Sequence, residues 1–149
     1  MRTIPQFIRG RRGTVALEFG LATPLLLALV LGTAEIGMVV YEAMQVQDAA
    51  EAGAIYASQK ATDTAGISAA ITSATGTPGI SAAPAPAMFC GCPTASGITA
   101  GDCAVACPNG NPASRYVLVQ TQLTHVPVVQ FPGLPNPLVF HGSATVRVQ

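Results

Sequence analysis

The feature that most constrains this chain is an apolar run at residues 14–34, in which Glu18 is the only charged side chain. As a helix, about 20 residues span roughly 30 Å, the thickness of a bilayer core. A secretory signal peptide has a shorter apolar region, of about 7–15 residues, followed by a small-residue cleavage site. Here the run is longer and continues smoothly into helix-like sequence. It therefore predicts a retained transmembrane helix.

The distribution of charge predicts the orientation of that helix. Four of the seven basic residues precede the run, without any acid: Arg2, Arg9, Arg11 and Arg12. A basic cluster directly before a span stays in the cytoplasm. We therefore expect a cytoplasmic leader at 1–13, a single membrane pass at 14–34, and the rest of the chain outside the cytoplasm.

Residues 35–61 predict that the helix continues beyond the membrane as an amphipathic segment. At about 100° per residue, small and apolar side chains share one face. They are Ile36, Val39, Ala43, Val46, Ala50, Ala54 and Ala57, while Glu35, Glu42, Gln45, Asp48, Glu51 and Gln59 lie on the rest of the surface. The small-residue face can cover the protein's own sheet or pack against helices of other subunits, and both uses remain open.

Residues 62–149 predict a small α+β head. Asp63 can cap a second helix at 64–74, with Gly76 as its stop, and an extended loop that can hold an edge strand follows at 77–86. Residues 116–126 and 138–148 alternate with period two, which predicts an antiparallel strand pair that ends the head. Between these strands stand Pro127, Pro132, Gly133, Pro135 and Pro137.

The four cysteines lie in a segment predicted to be a loop, 88–114, and are spaced C-x-C-x10-C-x3-C: Cys90, Cys92, Cys103 and Cys107. A Cys90–Cys92 bridge would be badly constrained. In an oxidising compartment we therefore expect two disulfides, with each of these two residues joined to Cys103 or Cys107. A zinc site, for which C-x-C spacing fits poorly, and free or redox-active thiols are the alternatives.

Composition argues against several function classes. Seven basic residues balance seven acidic ones, whereas a general nucleic-acid binder needs a surplus of Lys and Arg. His125 and His141 stand outside any known catalytic pattern in the sequence, and lone strand histidines are usually surface or partly satisfied residues. We therefore expect neither an enzyme nor a cofactor or metal site, and the sequence assigns no role to either histidine.

The membrane boundary carries the most specific motif, Arg11-Arg12-Gly13-Thr14 followed by Glu18-Phe19. An ionised side chain costs about 2.5–3.5 kcal/mol at the bilayer centre and less near its surface. Cleavage after Gly13 would give Thr14 a free ammonium group, four residues from the Glu18 carboxylate. It would also remove the arginines, so that the helix could leave the membrane and enter an assembly.

This motif resembles the class III signal of type IV pilin-like proteins, and residues 11–60 resemble the TadE-like family of the Tad (tight adherence) pilus system. The matching positions are Gly13, Glu18, Phe19, Pro24, Glu35, Gly37, Asp48, Ala49, Ala50, Ala54, Tyr56 and Ala57. The pair Glu18-Phe19 departs from the Glu-Tyr common in Tad prepilins.

The resemblance implies a pseudopilin or minor pilin without catalytic activity, held in the inner membrane of a bacterium with its head in the periplasm or outside the cell. Its partners would be other pilin-like subunits, platform proteins of the Tad pilus, membrane lipid and a prepilin peptidase that cuts between Gly13 and Thr14. Glu18, Phe19 and Glu35 would serve membrane insertion and assembly, with Glu35 ending the span at its outer interface. The alternative is an uncleaved, single-span periplasmic binding or anchor protein.

The predicted orientation can be tested with reporter fusions after Lys60. Because the arginines should hold the leader in the cytoplasm, alkaline phosphatase, which needs export, should be active there. The same fusion after Gly13 should be inactive. A cytoplasm-only reporter that is active after Lys60 would contradict the orientation.

Overall fold

The computed structural model describes residues 12–127 and 135–149. Two helices, α1 (Arg12–Gln59) and α2 (Thr64–Ser73), precede five strands: β1 (Ser81–Ala82), β2 (Ala87–Thr94), β3 (Gly97–Gly101), β4 (Ser114–His125) and β5 (Leu138–Val148). The predicted fold class is confirmed, since a long apolar N-terminal helix leads into a small antiparallel head with two disulfides. The leader residues 1–11, together with Pro132 and Gly133, lie outside the described residues.

Helix α1 is a single element of 48 residues, which corresponds to about 72 Å at the rise of an α-helix. Its first half stands free of the head, and its second half packs on the sheet, mainly on β5 and β4. Pro24 lies inside the free half without interrupting the helix. One continuous rod therefore links the apolar segment to the head.

Strand β4 is the centre of the sheet. It pairs along its whole length with β5, from Arg115 opposite Val148 to His125 opposite Leu138. Its other edge pairs with β2 and then with the short β1. The predicted strand pair is confirmed, and period-two alternation places Val117, Val119, Thr121, Leu123 and His125 of β4 among the buried residues.

The core forms where this buried face meets the two helices. Its members include Val46, Ala49 and Ala57 from α1, Ile67 and Ile71 from α2, and Val117 and Val119 from β4. From Val46 to Ala57 the predicted small-residue face is buried, so in this stretch it covers the protein's own sheet.

Nearer the apolar segment, the predicted helix face is wrong at Ile36 and Glu35, although Val39 faces the sheet as expected. Ile36 is 62% exposed, whereas Glu35, which was expected on the polar side, is 5% exposed. The stripe that faces the sheet runs through Glu35, Val39, Glu42 and Val46, at spacings of four, three and four residues. Because Glu35 and Glu42 are polar, the sequence predicts that both side chains face the solvent. In the folded chain a histidine of β4 accommodates them.

Two glycines allow α1 to approach the sheet closely. The Thr121 hydroxyl donates a buried hydrogen bond of 2.7 Å to the Val46 carbonyl, and a Cβ on Gly142 would collide with both of these groups. A Cβ on Gly53 would likewise collide with Ile71 and Val119. The helix therefore packs so closely on the sheet and on α2 that only glycine fits at these two positions.

Helix α2 begins where Asp63 was predicted to cap it. The Asp63 carboxylate accepts hydrogen bonds of 2.8 Å from the Gly66 amide and from the Tyr56 hydroxyl of α1. These two donors, the amide first, hold the pKa of the Asp63 carboxyl below its ordinary value. The helix ends at Ser73, before the predicted stop at Gly76.

The segment 88–114 is not the continuous loop that was expected. Its first half forms an antiparallel β2–β3 hairpin, with Thr94 opposite Gly97. Disulfides join Cys90 to Cys103 and Cys92 to Cys107, which confirms the expectation that Cys90 and Cys92 are each joined to Cys103 or Cys107. The small residues of this segment show little alternation of polarity, so the sequence gives a weak strand signal. In the structure β2 is a strand because β4 supplies its backbone hydrogen-bond partners.

The close approach of α1 to the sheet predicts that Gly142→Ala destabilises the head by about 1–3 kcal/mol, because the added methyl group has no space. Gly76→Ala is the matched control, since nothing lies within 4 Å of a Cβ there. Urea unfolding of the detergent-solubilised chain measures both. Equal stability of the two variants would show that α1 does not lie this close to β5.

Candidate membrane-boundary site

The free half of α1 is apolar and exposed. Its large apolar side chains from Val15 to Leu31 are 53–74% exposed. Among the described residues, α1 is the one helix long and apolar enough to cross a membrane, and none of its most apolar window is buried inside the protein. Exposing such an apolar surface to water is energetically costly. The helix therefore suggests a single-pass membrane anchor.

The predicted assembly residues lie at the start of this segment. Glu18 and Phe19 are both exposed on the free helix. The proposed cleavage position between Gly13 and Thr14 falls in the first turn of α1, which begins at Arg12. One turn before Pro24, the Phe19 carbonyl accepts a hydrogen bond of 2.6 Å from the Thr23 hydroxyl.

Glu35 does not share the exposure of Glu18. Its Oε1 atom lies 3.3 Å from Nε2 of His125, the last residue of β4. On the other side of the ring, Oε2 of Glu42 lies 2.8 Å from Nδ1. His125 is 8% exposed, and its ring also contacts Phe140 of β5. We call these three residues, Glu35, His125 and Glu42, the boundary cluster.

The two contacts in the boundary cluster differ in kind. The contact with Glu35 has hydrogen-bond geometry. The shorter contact with Glu42 lies outside it, and Oε2 of Glu42 has no hydrogen-bond partner among the described residues. Both contacts are ion pairs when the imidazole is protonated on both nitrogens. A protonated His125 would thus hold two carboxylates of α1 against the end of β4.

Sequence reasoning missed the role of His125, although two signals were present. His125 continues the period-two series of buried residues from Val117 to Leu123. Glu35 and Glu42 are seven residues apart and therefore share a helix face. What the sequence could not show is that the helix face and the strand meet. His141, by contrast, is exposed on β5.

The boundary cluster has the chemistry of a structural contact. Each ring nitrogen faces a different carboxylate, so the three side chains do not converge on one point. Within residues 12–127 and 135–149, no group of three or more His, Cys, Asp or Glu residues is arranged to hold a metal ion. The cluster joins the last residue of β4 to two residues of α1.

Taken together, an exposed apolar half-helix, a small sheet docked on its continuation and a boundary cluster between them suggest a single-pass membrane anchor that carries a compact head. Residues 13–54 match the model of the family described as TadE-like protein. This match lies within α1, and together with the apolar helix it fits a component of a Tad pilus. No curated protein and no solved structure matches the chain.

The boundary cluster predicts that His125→Leu is strongly destabilising, by about 3 kcal/mol or more, because it replaces the imidazole that two carboxylates face with an apolar side chain. His141→Leu is the matched control, an exposed histidine on the neighbouring strand. Urea unfolding compares the two.

Replacing the whole cluster, as Glu35→Leu, Glu42→Leu and His125→Leu together, should recover most of the loss, since no charge is then left unpaired. If the single His125→Leu variant is as stable as the control, the cluster does not hold the head.

Proposed function

We propose that the protein is a pseudopilin or minor-pilin-type component of a Tad pilus, held in the inner membrane by residues 14–34 with its head in the periplasm. The observation that carries the proposal is the family match over 13–54, which covers the exposed apolar helix and its passage into the docked head. Its role is to assemble with other subunits rather than to catalyse a reaction.

The surfaces left free by the fold indicate how it assembles. From Val46 to Ala57 the small-residue face is occupied by the protein's own sheet. Packing against other pilin-like subunits is therefore left to the exposed segment from Val15 to Leu31. Platform proteins of the pilus machinery would meet the same segment inside the membrane.

Glu18 is the residue of the free segment that most needs a partner. It is exposed on an otherwise apolar surface, where burial of its charge in lipid or between helices is costly. Cleavage after Gly13 by a prepilin peptidase would supply the Thr14 ammonium group, from the same chain or a neighbour. Processing and subunit packing are thereby linked.

The processing step predicts that the mature chain begins at Thr14. Gly13→Ala should slow cleavage far less than Gly13→Leu, because a small residue keeps the backbone open to the enzyme. N-terminal sequencing of the protein from membranes and from sheared pili measures this. If both pools keep Met1 and the arginines, the protein is instead an uncleaved periplasmic anchor or binding protein.

A second variant separates insertion from assembly. Glu18→Gln removes a charge from the apolar segment, so membrane insertion should be retained. Incorporation into pili should fall, because the ammonium group loses its partner. Leu17→Gln is the matched control, with the same introduced side chain one position away. Equal incorporation of the two variants would contradict the role of Glu18.

A further inference from the structure

The charges of the head are concentrated at the end away from the apolar segment. Arg115 lies opposite Val148, and Arg147 opposite Tyr116, at the far end of the β4–β5 pair. Lys60 and Asp63 follow the far end of α1, and Asp102 follows β3, which pairs with β2 beside Arg115. Asp48 and Glu51 lie along the middle of the docked part of α1.

The opposite end of the head, where His125 meets Leu138, presents apolar side chains to the outside. In the described part of the chain, its acids are Glu35 and Glu42, and both turn inward to His125. The exposed apolar or aromatic side chains of the adjoining stretches, at 44–67%, include Ile36, Val40, Tyr41, Val126 and Val139. We call these five residues the apolar collar.

The apolar collar is continuous with the exposed apolar surface of α1. A bilayer core of about 30 Å corresponds to about 20 helical residues. The exposed apolar surface of α1 continues beyond residue 34 to Met38, so the anchor proposed at 14–34 can shift along its axis to a core at 19–38 that begins directly after Glu18. The collar then lies at the other boundary, with Tyr41 about 4–5 Å beyond Met38 along the helix, at the depth where tyrosines are enriched.

We propose that the apolar collar is a lipid-binding surface that seats the head in the headgroup layer of the membrane. The boundary cluster makes this possible, because His125 pairs the two carboxylates that would otherwise face lipid. The proposal rests on the proposed function only in taking α1 as the membrane anchor. A second copy or another protein would leave the collar in contact with protein instead of lipid.

The test uses the absence of tryptophan from the chain, because each Trp variant then carries a single fluorescent reporter. The full chain is reconstituted in phosphatidylcholine vesicles with and without bromine on the upper acyl chain. Tyr41→Trp and Val139→Trp report on the collar. Ile55→Trp is the matched control, since Ile55 is also an exposed apolar residue of α1, at 66%, but lies about 21 Å further along the helix than Tyr41.

Bromolipid should reduce the fluorescence of Tyr41→Trp and Val139→Trp about twofold and leave Ile55→Trp unchanged, because the collar reaches the level of the upper acyl chains. Leu27→Trp, within the apolar segment, separates this inference from the anchor itself. If only Leu27→Trp is quenched, the helix spans the membrane and the head stands clear of it, so the collar proposal is wrong.

Two further outcomes would also overturn the proposal. Blue-shifted emission from Val139→Trp without quenching by bromolipid would mean that protein covers the collar. If Leu27→Trp is unquenched as well, the anchor fails, and with it both the seating of the head and the proposed function.

Discussion

The close contact between α1 and the sheet is the constraint on which the rest of the structure depends. At Val46 the helix backbone itself is a partner, since its carbonyl accepts the Thr121 hydroxyl. Gly142 and Gly53 provide the space for this approach. One hydrogen bond between helix and sheet and the absence of side chains at two glycines thus fix the position of the helix. The head has few large apolar residues that could fix it by packing alone.

Because α1 is continuous, this contact also fixes the head relative to the apolar segment. The boundary cluster adds a second point of attachment at Glu35, four residues after Leu31, where the exposed half of α1 ends and the docked half begins. A head held at two points along one helix cannot rotate freely about it. In an assembly of such subunits, the helix would therefore set which surface of the head faces outward.

The boundary cluster also explains how acidic residues are tolerated at the end of an apolar segment. Unpaired carboxylates there would favour water and would draw the helix away from the sheet. Paired with His125 they become part of the docking surface, and the large apolar side chains of the same stretch, such as Ile36 and Tyr41, are left outside. His125 thereby extends toward the apolar segment the inward face of α1 that is set around Val46.

Local sequence patterns were sufficient to predict the two helices and the two long strands. An uninterrupted apolar run predicts the long helix, Asp63 predicts the start of α2, and period-two alternation predicts β4 and β5, because each signal depends on neighbours close along the chain. The sequence also predicts two disulfides, because a bridge between Cys90 and Cys92 is badly constrained, but it leaves two of the three possible pairings open. The motif at Gly13, Thr14 and Glu18 contributes to the family resemblance, which can be recognised without knowledge of the fold.

Contacts between distant parts of the chain determine which surfaces meet. Segment 88–101 becomes a hairpin because β4 pairs with it, although its own small residues give little strand signal. Glu35 and Glu42 turn inward because a residue some 90 positions away along the chain supplies the partner. A polar side chain is placed outside by its own preference for water, and only a specific partner, which local sequence does not contain, reverses that preference.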